Sequence, residues 1–219
     1  MHFQSTAILL FSRTATAEVE MKSFGAGAAG SRITEALIAR TELTLKKTRL
    51  PVFRSDESSQ VGHTFGERLA NAMARVYNAG FKRLLVVGND CPSVSAAHLI
   101  AAARQLGAGR NVVGPDRRGG VWLIGLQRKD FDATVFAALP WESHELYGAL
   151  SDPLPDRVEA NSFSDLNTFE DLRQNWFFLR RRISELFDLL LLPQKAFCPP
   201  GPQPKPVAFM RRLGRAPPC

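Results

Sequence analysis

The stretch Phe81 to Val87 (FKRLLVV) ends in four consecutive apolar residues, and Gly88-Asn89-Asp90-Cys91-Pro92 follows at once. A strand that is apolar on both faces needs cover on both faces, the condition of a central strand in a parallel or mostly parallel sheet. Parallel neighbours need long crossover connections, normally helices. The rest of the chain supplies both. Thr6 to Ser12 (TAILLFS), Leu50 to Arg54, NVVGPD from Asn111 and GVWLIGL from Gly120 are further strand candidates. Ser31 to Lys47 reads as a helix, with Ile33, Leu37, Ile38 and Leu43 or Leu45 near a 3.6-residue period. Thr64 opens another: Thr64 and Glu67 have capping-box spacing, Phe65, Leu69, Met73 and Val76 form one apolar stripe, and Gly80 is a stop. Pro92 and Ser93 lead into a third helix ending near Gly107. Strands alternating with helices predict a three-layer α/β/α domain with a mainly parallel sheet.

The remaining segments are less patterned. Arg13 to Ser31 reads as a small-residue loop and SDESSQVG, from Ser55, as a polar loop. Asp130 to Leu139 and Ser143 to Leu150 read as short helices, and NSFSDLNTFEDLRQNW, from Asn161, begins a final long helix. This gives three parts: residues 1–172 as the α/β domain, 173–192 as an amphipathic helix, and 193–219 as a Pro-rich basic tail expected to be extended or disordered.

The chain has 219 residues, enough for a substantial core, with 45% hydrophobic and 22% charged residues. Its formal charge is +7, but Lys195, Lys205, Arg211, Arg212 and Arg215 of the acid-free tail carry five of those charges. The body is only mildly basic, which argues against nucleic acid as its partner. Trp176, Phe177 and Phe178 beside Arg180, Arg181 and Arg182 could meet an anionic membrane surface, but a terminal helix docked on protein is the preferred reading. The three cysteines, Cys91, Cys198 and Cys219, form no disulfide framework. The first residues lack a basic n-region and a long apolar run, and a cytoplasmic protein is expected.

In sheets of this class, ligands bind outside the carboxyl ends of the strands. Asp90 falls there. A carboxylate at that point can hold a divalent cation, and the cation can hold phosphates. An Asp before Cys-Pro can equally make an Asx turn or cap the next helix. Cys91 could be a nucleophile at a helix N-terminus, with His63 or His144 brought near by the fold, but packing is the favoured role. The four histidines show no metal-ligand spacing, and His98 reads as a helix-surface residue.

Three stretches taken together, FGERLANAMARVYNAGFKRLLVVGNDCPSVS, VVGPDRRGGVWLIGL and FSDLNTFEDL, resemble a bacterial family catalogued as a domain of unknown function and often labelled glycosyltransferase. It belongs to the nucleotide-diphospho-sugar transferase superfamily, with the glycosyltransferase-A fold. Molybdenum cofactor guanylyltransferase and phospholactate guanylyltransferase are among its relatives. The resemblance spans about Thr6 to Leu172. Its most specific points are Gly66-Glu67-Arg68-Leu69, Gly88 to Pro92, and Gly119-Gly120 with Leu123 to Leu126.

The resemblance implies that Asp90 binds Mg²⁺ or Mn²⁺ on a nucleotide's phosphates. It implies a second contact from a late segment, with Asp165 the candidate and Asn167 in reserve, although a helix cap explains Asp165 equally well. Arg13 and Lys22 match the phosphate-binding Arg and Lys of the family's first loop, and Gly119 and Gly120 match its sugar-pocket glycines. The chain departs from the pattern in two places. The first loop lacks the family's Pro, Gly and Thr-Arg-Leu, and adds Glu18 and Glu20; the literal KTRL at Lys47 sits at a helix end. Where the family has an acid before the Gly pair and a Tyr after it, this chain has Arg118 and Val121, leaving Asp116 as a stand-in carboxylate. Trp141 matches a feature near the acceptor side, or is a core aromatic. The implied activity is transfer from a metal-bound nucleoside diphosphate sugar to an unknown acceptor. The alternatives are a nucleotidyltransferase on the same fold and a catalytically degenerate nucleotide-binding or interaction protein.

Overall fold

The computed structural model describes residues 5–21, 28–166 and 168–179. Within them the chain order is β1 (Thr6–Phe11), α1 (Ala15–Met21), α2 (Ala28–Thr48), β2 (Val52–Ser55), α3 (Phe65–Asn78), β3 (Arg83–Val87), α4 (Ala96–Gly107), β4 (Val112–Pro115) and β5 (Val121–Gln127). A 3₁₀ turn at Arg128–Asp130, α5 (Ala133–Ala137), α6 (Leu146–Ala149), β6 (Val158–Glu159) and α7 (Phe169–Leu179) complete it. The six strands lie in the order β2-β1-β3-β5-β4-β6. β1 is parallel to β2 and β3, β4 is parallel to β6, and β5 alone runs antiparallel to both neighbours.

The two-sided apolar reading of the central strands holds. In β1, Ala7 and Leu9 face one core and Ile8 and Leu10 the other; in β3, Leu84 and Val86 alternate in the same way with Leu85 and Val87. The first core packs under α3, α5 and α6 through Leu69, Met73, Val76, Phe136 and Leu146. The second packs under α4 and the end of α2 through Leu99, Leu106 and Leu45. These are the three layers. Of the two leucines the α2 period allowed, Leu45 is buried and Leu43 is 53% exposed.

α3 begins with the expected capping box. The Glu67 N–H donates to Thr64 Oγ1 at 3.1 Å, and the Glu67 carboxylate accepts from the Thr64 N–H. α4 has an analogous cap: the His98 N–H donates to Ser95 Oγ, and His98 Nδ1 accepts from the Ser95 N–H. His98 is therefore not a simple surface residue; its ring also packs against Phe163 at 4.9 Å.

Several expectations are corrected. Ala15–Met21 is helical, not loop. β3 starts at Arg83, two residues inside the apolar run. The Asp130 to Leu139 segment divides into the 3₁₀ turn and the five-residue α5. β6 carries no strand pattern and exists through its pairing with β4. α7 runs unbroken across the expected boundary at residue 172, with Leu172 buried. Lys22, Asn167, the 180–192 part of the terminal helix and the tail 193–219 lie outside the described residues. Among the described residues no helix is long and apolar enough to cross a membrane.

Candidate active site

β1, β2 and β3 are parallel, so their carboxyl ends share one edge of the sheet, and the antiparallel β5 starts there. A cleft of about 460 Å³ opens at this edge, within the range of small-molecule sites. Its floor comes from the strand ends: Phe11, Ser12 and Arg13 after β1, Gly88 to Cys91 after β3, and Val121 to Ile124 of β5. Arg40 and Thr44 of α2, Phe65, Arg68 and Leu69 of α3, Glu18, Glu57, Trp141, Glu142 and Asp165 also line it.

Asp90 and Asp165 reach this cleft from segments 75 residues apart in sequence (165 − 90). One backbone bond joins them: the Leu166 N–H donates to the Asp90 carbonyl at 2.8 Å. Thr168 and Asp171 cap α7, with the Thr168 N–H donating to Asp171 Oδ2 at 2.9 Å and the Asp171 N–H to Thr168 Oγ1 at 3.1 Å. Asp116 follows β4 on the same edge, and its Oδ1 is buried without a hydrogen-bond partner. Among the described residues no three His, Cys, Asp or Glu side chains are grouped closely enough to hold a metal by themselves.

Cys91 is 9% exposed. Burial pushes its thiol pKa up, and the nearby carboxylates of Asp165 and Asp116 push it the same way. A thiol held protonated is a poor nucleophile, so the geometry gives Cys91 the packing role. Those carboxylates also show that Asp116 and Asp165 both lie within electrostatic reach of the β3 end.

The two glycines of the β4–β5 turn do not line the cleft. Gly119 has φ +88, and a Cβ there would meet the His144 carbonyl oxygen at 2.1 Å. Its own carbonyl accepts from the Tyr147 N–H at 2.9 Å, so it fixes this turn onto the segment before α6. Arg118 does not fill a metal position; its guanidinium pairs with Asp171 on α7. Gly88 differs: it is exposed, lines the cleft and has open space where a Cβ would be. Bare backbone there allows close approach by a ligand.

An aromatic wall closes one part of the cleft. Phe65 meets Phe11 edge-on at 5.3 Å and Trp141 at 5.6 Å. The Trp141 indole N–H donates to the Phe136 carbonyl at 2.6 Å, which locks the ring. Gly66 permits this packing, since a Cβ there would lie 2.2 Å from the Ala137 carbonyl and 2.7 Å from Trp141. Glu142, next to Trp141, has φ +60, an uncommon backbone state for a residue other than glycine. On the β1–β2 side, Glu57 accepts from the Thr14 N–H at 2.8 Å and from the Thr14 hydroxyl. The hydroxyl and then the N–H lower its pKa. Arg40, Glu57, Arg68 and Glu142 were not singled out as site residues by pattern. Arg68 lay within a motif whose visible signal was a helix cap, and the others have no local signature.

Residues 27–143, more than half of the chain, match the family described as "Uncharacterized protein conserved in bacteria (DUF2064)", and the chain belongs to that family. No curated protein matches it. Among solved structures, it is similar to a protein from Desulfovibrio desulfuricans G20 that carries the provisional name nucleotide-diphospho-sugar transferase. The TM-score is 0.70 at 19% identity, over 85% of this chain and 94% of that one. More distant likenesses are Rv0371c from Mycobacterium tuberculosis H37Rv, solved with manganese (TM-score 0.43, 15% identity, 77% and 96% covered), and CMP:2-keto-3-deoxy-manno-octonic acid synthetase, solved with CTP (0.41, 10%, 81% and 99%). The Desulfovibrio structure establishes the fold: an α/β architecture of the nucleotide-diphospho-sugar transferase type.

Proposed function

We propose that the protein is a transferase that takes a nucleoside diphosphate sugar in the cleft at the β1 and β3 ends. The observation that supports this reading is that Asp90 and Asp165, from distant segments, line one cleft at the carboxyl edge of the sheet. Their backbones are tied by the Leu166 N–H bond to the Asp90 carbonyl, and the cleft is sized for a small molecule. Hard oxygen donors suit Mg²⁺ or Mn²⁺, and Mg²⁺ is normally held by one or two carboxylates with substrate phosphates completing the shell. Asp116, with a buried carboxylate oxygen lacking a partner, is the reserve donor. When bound, the cation would offset the charge of the departing nucleoside diphosphate.

The residues of the chain supply the rest. Arg13 meets the phosphates from the β1 end, with Lys22 as its partner from the first loop. Gly88 lets the ligand run close over the β3 end. The aromatic wall of Phe65 and Trp141 offers an apolar surface to a sugar ring. Gly119 and Gly120 act on the sugar pocket indirectly, by shaping the turn behind it. Glu18 and Glu57 disfavour a further negative charge on the β1–β2 side, which favours a diphosphate sugar over a nucleoside triphosphate. The working compartment in this reading is the cytoplasm.

The test is a thermal-shift panel of UDP-, GDP-, CDP- and ADP-linked sugars and the free triphosphates, each with Mn²⁺ and with EDTA, on wild type and Asp90→Ala. Ligand binding only the folded state raises the melting temperature by mass action. The expected result is a metal-dependent shift with one nucleotide sugar, lost in Asp90→Ala. A shift with a triphosphate alone would move the assignment to nucleotidyl transfer. No shift with any nucleotide would leave a degenerate copy.

A further inference from the structure

Among the donors of the cleft-lining residues, Asn89 Nδ2 and Arg68 Nε are buried and meet no acceptor in the protein. Asn89 is 3% exposed, lies between Gly88 and Asp90, and its Nδ2 has no partner. Arg68 lies in the first turn of α3, and its Nε is buried without a partner. Both residues line the cleft. A donor sealed from water without an acceptor is costly, so native proteins leave few of them. Both unmet groups here are donors, and one carries a full positive charge. The missing group is therefore an acceptor-rich anion.

The cleft's other ionic groups narrow its place. Arg40 is held by Thr44 Oγ1 and the Val94 carbonyl, both at 3.3 Å. Glu18 and Glu57 belong to α1 and the loop after β2, on the β2–β1 side. Asn89 and Asp90 follow β3, on the far side of β1 from β2. At β3 the bare carboxylates of Asp90 and Asp165 also oppose an anion, so binding there without metal measures what Arg68 and Asn89 supply against them. The terminal torsion of an Asn side chain is broad, so its amide can swing toward a ligand at little cost. Arg68 presents a planar fork suited to phosphate oxygens.

We propose that Arg68 and Asn89 form the diphosphate clamp of this protein, taking over donor duty from a first loop that lacks its family's Pro, Gly and Thr-Arg-Leu. The clamp rests on the reading of the cleft as a nucleotide site. It also gives Arg68 a role that its neighbours do not share: Gly66 makes room for Trp141, Glu67 caps α3, and Leu69 enters the core.

Inorganic pyrophosphate is the probe, since it presents the diphosphate without base or sugar. Its binding to the full-length protein is measured by calorimetry in EDTA, so that the carboxylate-metal arm is silent. Wild type is compared with Arg68→Gln, Arg68→Lys and Asn89→Ala, each first checked by its melting curve. The expected result is binding in EDTA, weakened at least tenfold in Arg68→Gln, about threefold in Arg68→Lys, which keeps the charge and loses the fork, and several-fold in Asn89→Ala. If Arg68→Gln fails to fold, Arg68→Lys and Asn89→Ala still decide the matter. No binding in EDTA, or variants that match wild type, would overturn the clamp. A nucleotide shift that depends on Asp90 but is unchanged in Arg68→Gln would sink the clamp and keep the transferase reading. Pyrophosphate gripped through Arg68, with no Asp90-dependent nucleotide shift, would keep the clamp and sink that reading.

Discussion

Two turns at the same edge of the sheet look alike in sequence and do different work. Gly88 to Cys91 follows β3, and Asp116 to Gly120 joins β4 to β5. Each combines glycine with an aspartate, and each lies in a stretch that carries the family resemblance. At the first turn, glycine backbone faces an open cleft. At the second, Gly119 is pressed against the His144 carbonyl and Arg118 is tied to Asp171. In the β3 turn the Asn89 Nδ2 is buried without a protein partner, whereas the β4–β5 turn engages most of its own polar groups. The Asp116 N–H donates to the Gly120 carbonyl at 2.9 Å and the Arg117 N–H to the Phe163 carbonyl at 3.1 Å. The exception is Asp116 Oδ1, which is buried without a partner. What separates the open turn from the packed one is not the presence of glycine but what the missing Cβ would meet.

The strongest test of this contrast is a matched pair of alanine substitutions. Gly119→Ala combines a left-handed φ with a backbone clash that no rotamer relieves, and is expected to destabilise the fold by about 3–4 kcal/mol. Gly88→Ala meets nothing within 4 Å and is expected to change stability by less than about 0.5 kcal/mol. Urea unfolding of both variants measures the difference. Equal losses would erase the distinction between the turns.

Gly88→Val extends the test to function. The branched side chain should fit the strand end and leave the melting temperature within about 2 °C of wild type, since it intrudes on open space. It should weaken the nucleotide that gives the largest thermal shift at least tenfold, about 1.4 kcal/mol. Titration calorimetry reads this directly. Unchanged affinity would mean that the ligand does not pass over the β3 end.

The same contrast explains what the sequence revealed and what it hid. β1, β3 and α3 were legible because their signals are local: two-sided apolar runs and a capping box from Thr64 to Glu67. α1 was missed because ATAEVEM is short, without a cap or a clear apolar stripe. β6 was missed because two residues make a strand only through the partner β4. Asp90 was legible as a strand-end carboxylate, and Asp165 only through the family resemblance, since its own segment reads equally well as a cap. Thr168 and Asp171 turned out to be that cap. Arg118 was visible as a departure from the family, but its partner Asp171 lies 53 residues away (171 − 118), beyond any local pattern. Gly119-Gly120 was read as a sugar pocket because a glycine pair signals close approach without saying of what.

Arg118→Gln tests the packed turn at a side chain. The guanidinium is half exposed, so screening reduces the worth of its ion pair with Asp171. Asp171 also caps α7 and keeps its bonds with Thr168. The expected loss is about 0.5–1 kcal/mol, seen as a small drop in the urea midpoint, with nucleotide affinity unchanged. A change of affinity without a change of stability would instead place Arg118 in the ligand site.

The finest test lies at Cys91, where the β3 turn meets the core. Its thiol is pushed up by burial first and then by Asp165 and Asp116, so the folded state keeps the proton at a pH where the unfolded chain has lost it. A raised folded pKa gives stability that is complete below the unfolded thiol's value, near 8.5, and falls as pH rises above it. The slope approaches about 1.4 kcal/mol per pH unit above the unfolded value, so the loss between pH 7.5 and 9.5 should be about 1.4 kcal/mol. Tyr77, whose pKa burial also raises, adds its own loss only nearer pH 10. In Cys91→Ala the thiol term is absent, while Cys198 and Cys219 remain in both proteins and cancel. The difference between wild type and variant should therefore shrink by about 1.4 kcal/mol from pH 7.5 to 9.5 in paired urea titrations. Parallel curves would show that Cys91 titrates as a free thiol does. It would then be in contact with the water of the cleft, and the boundary between open turn and core would lie beyond Cys91, on the far side of Pro92.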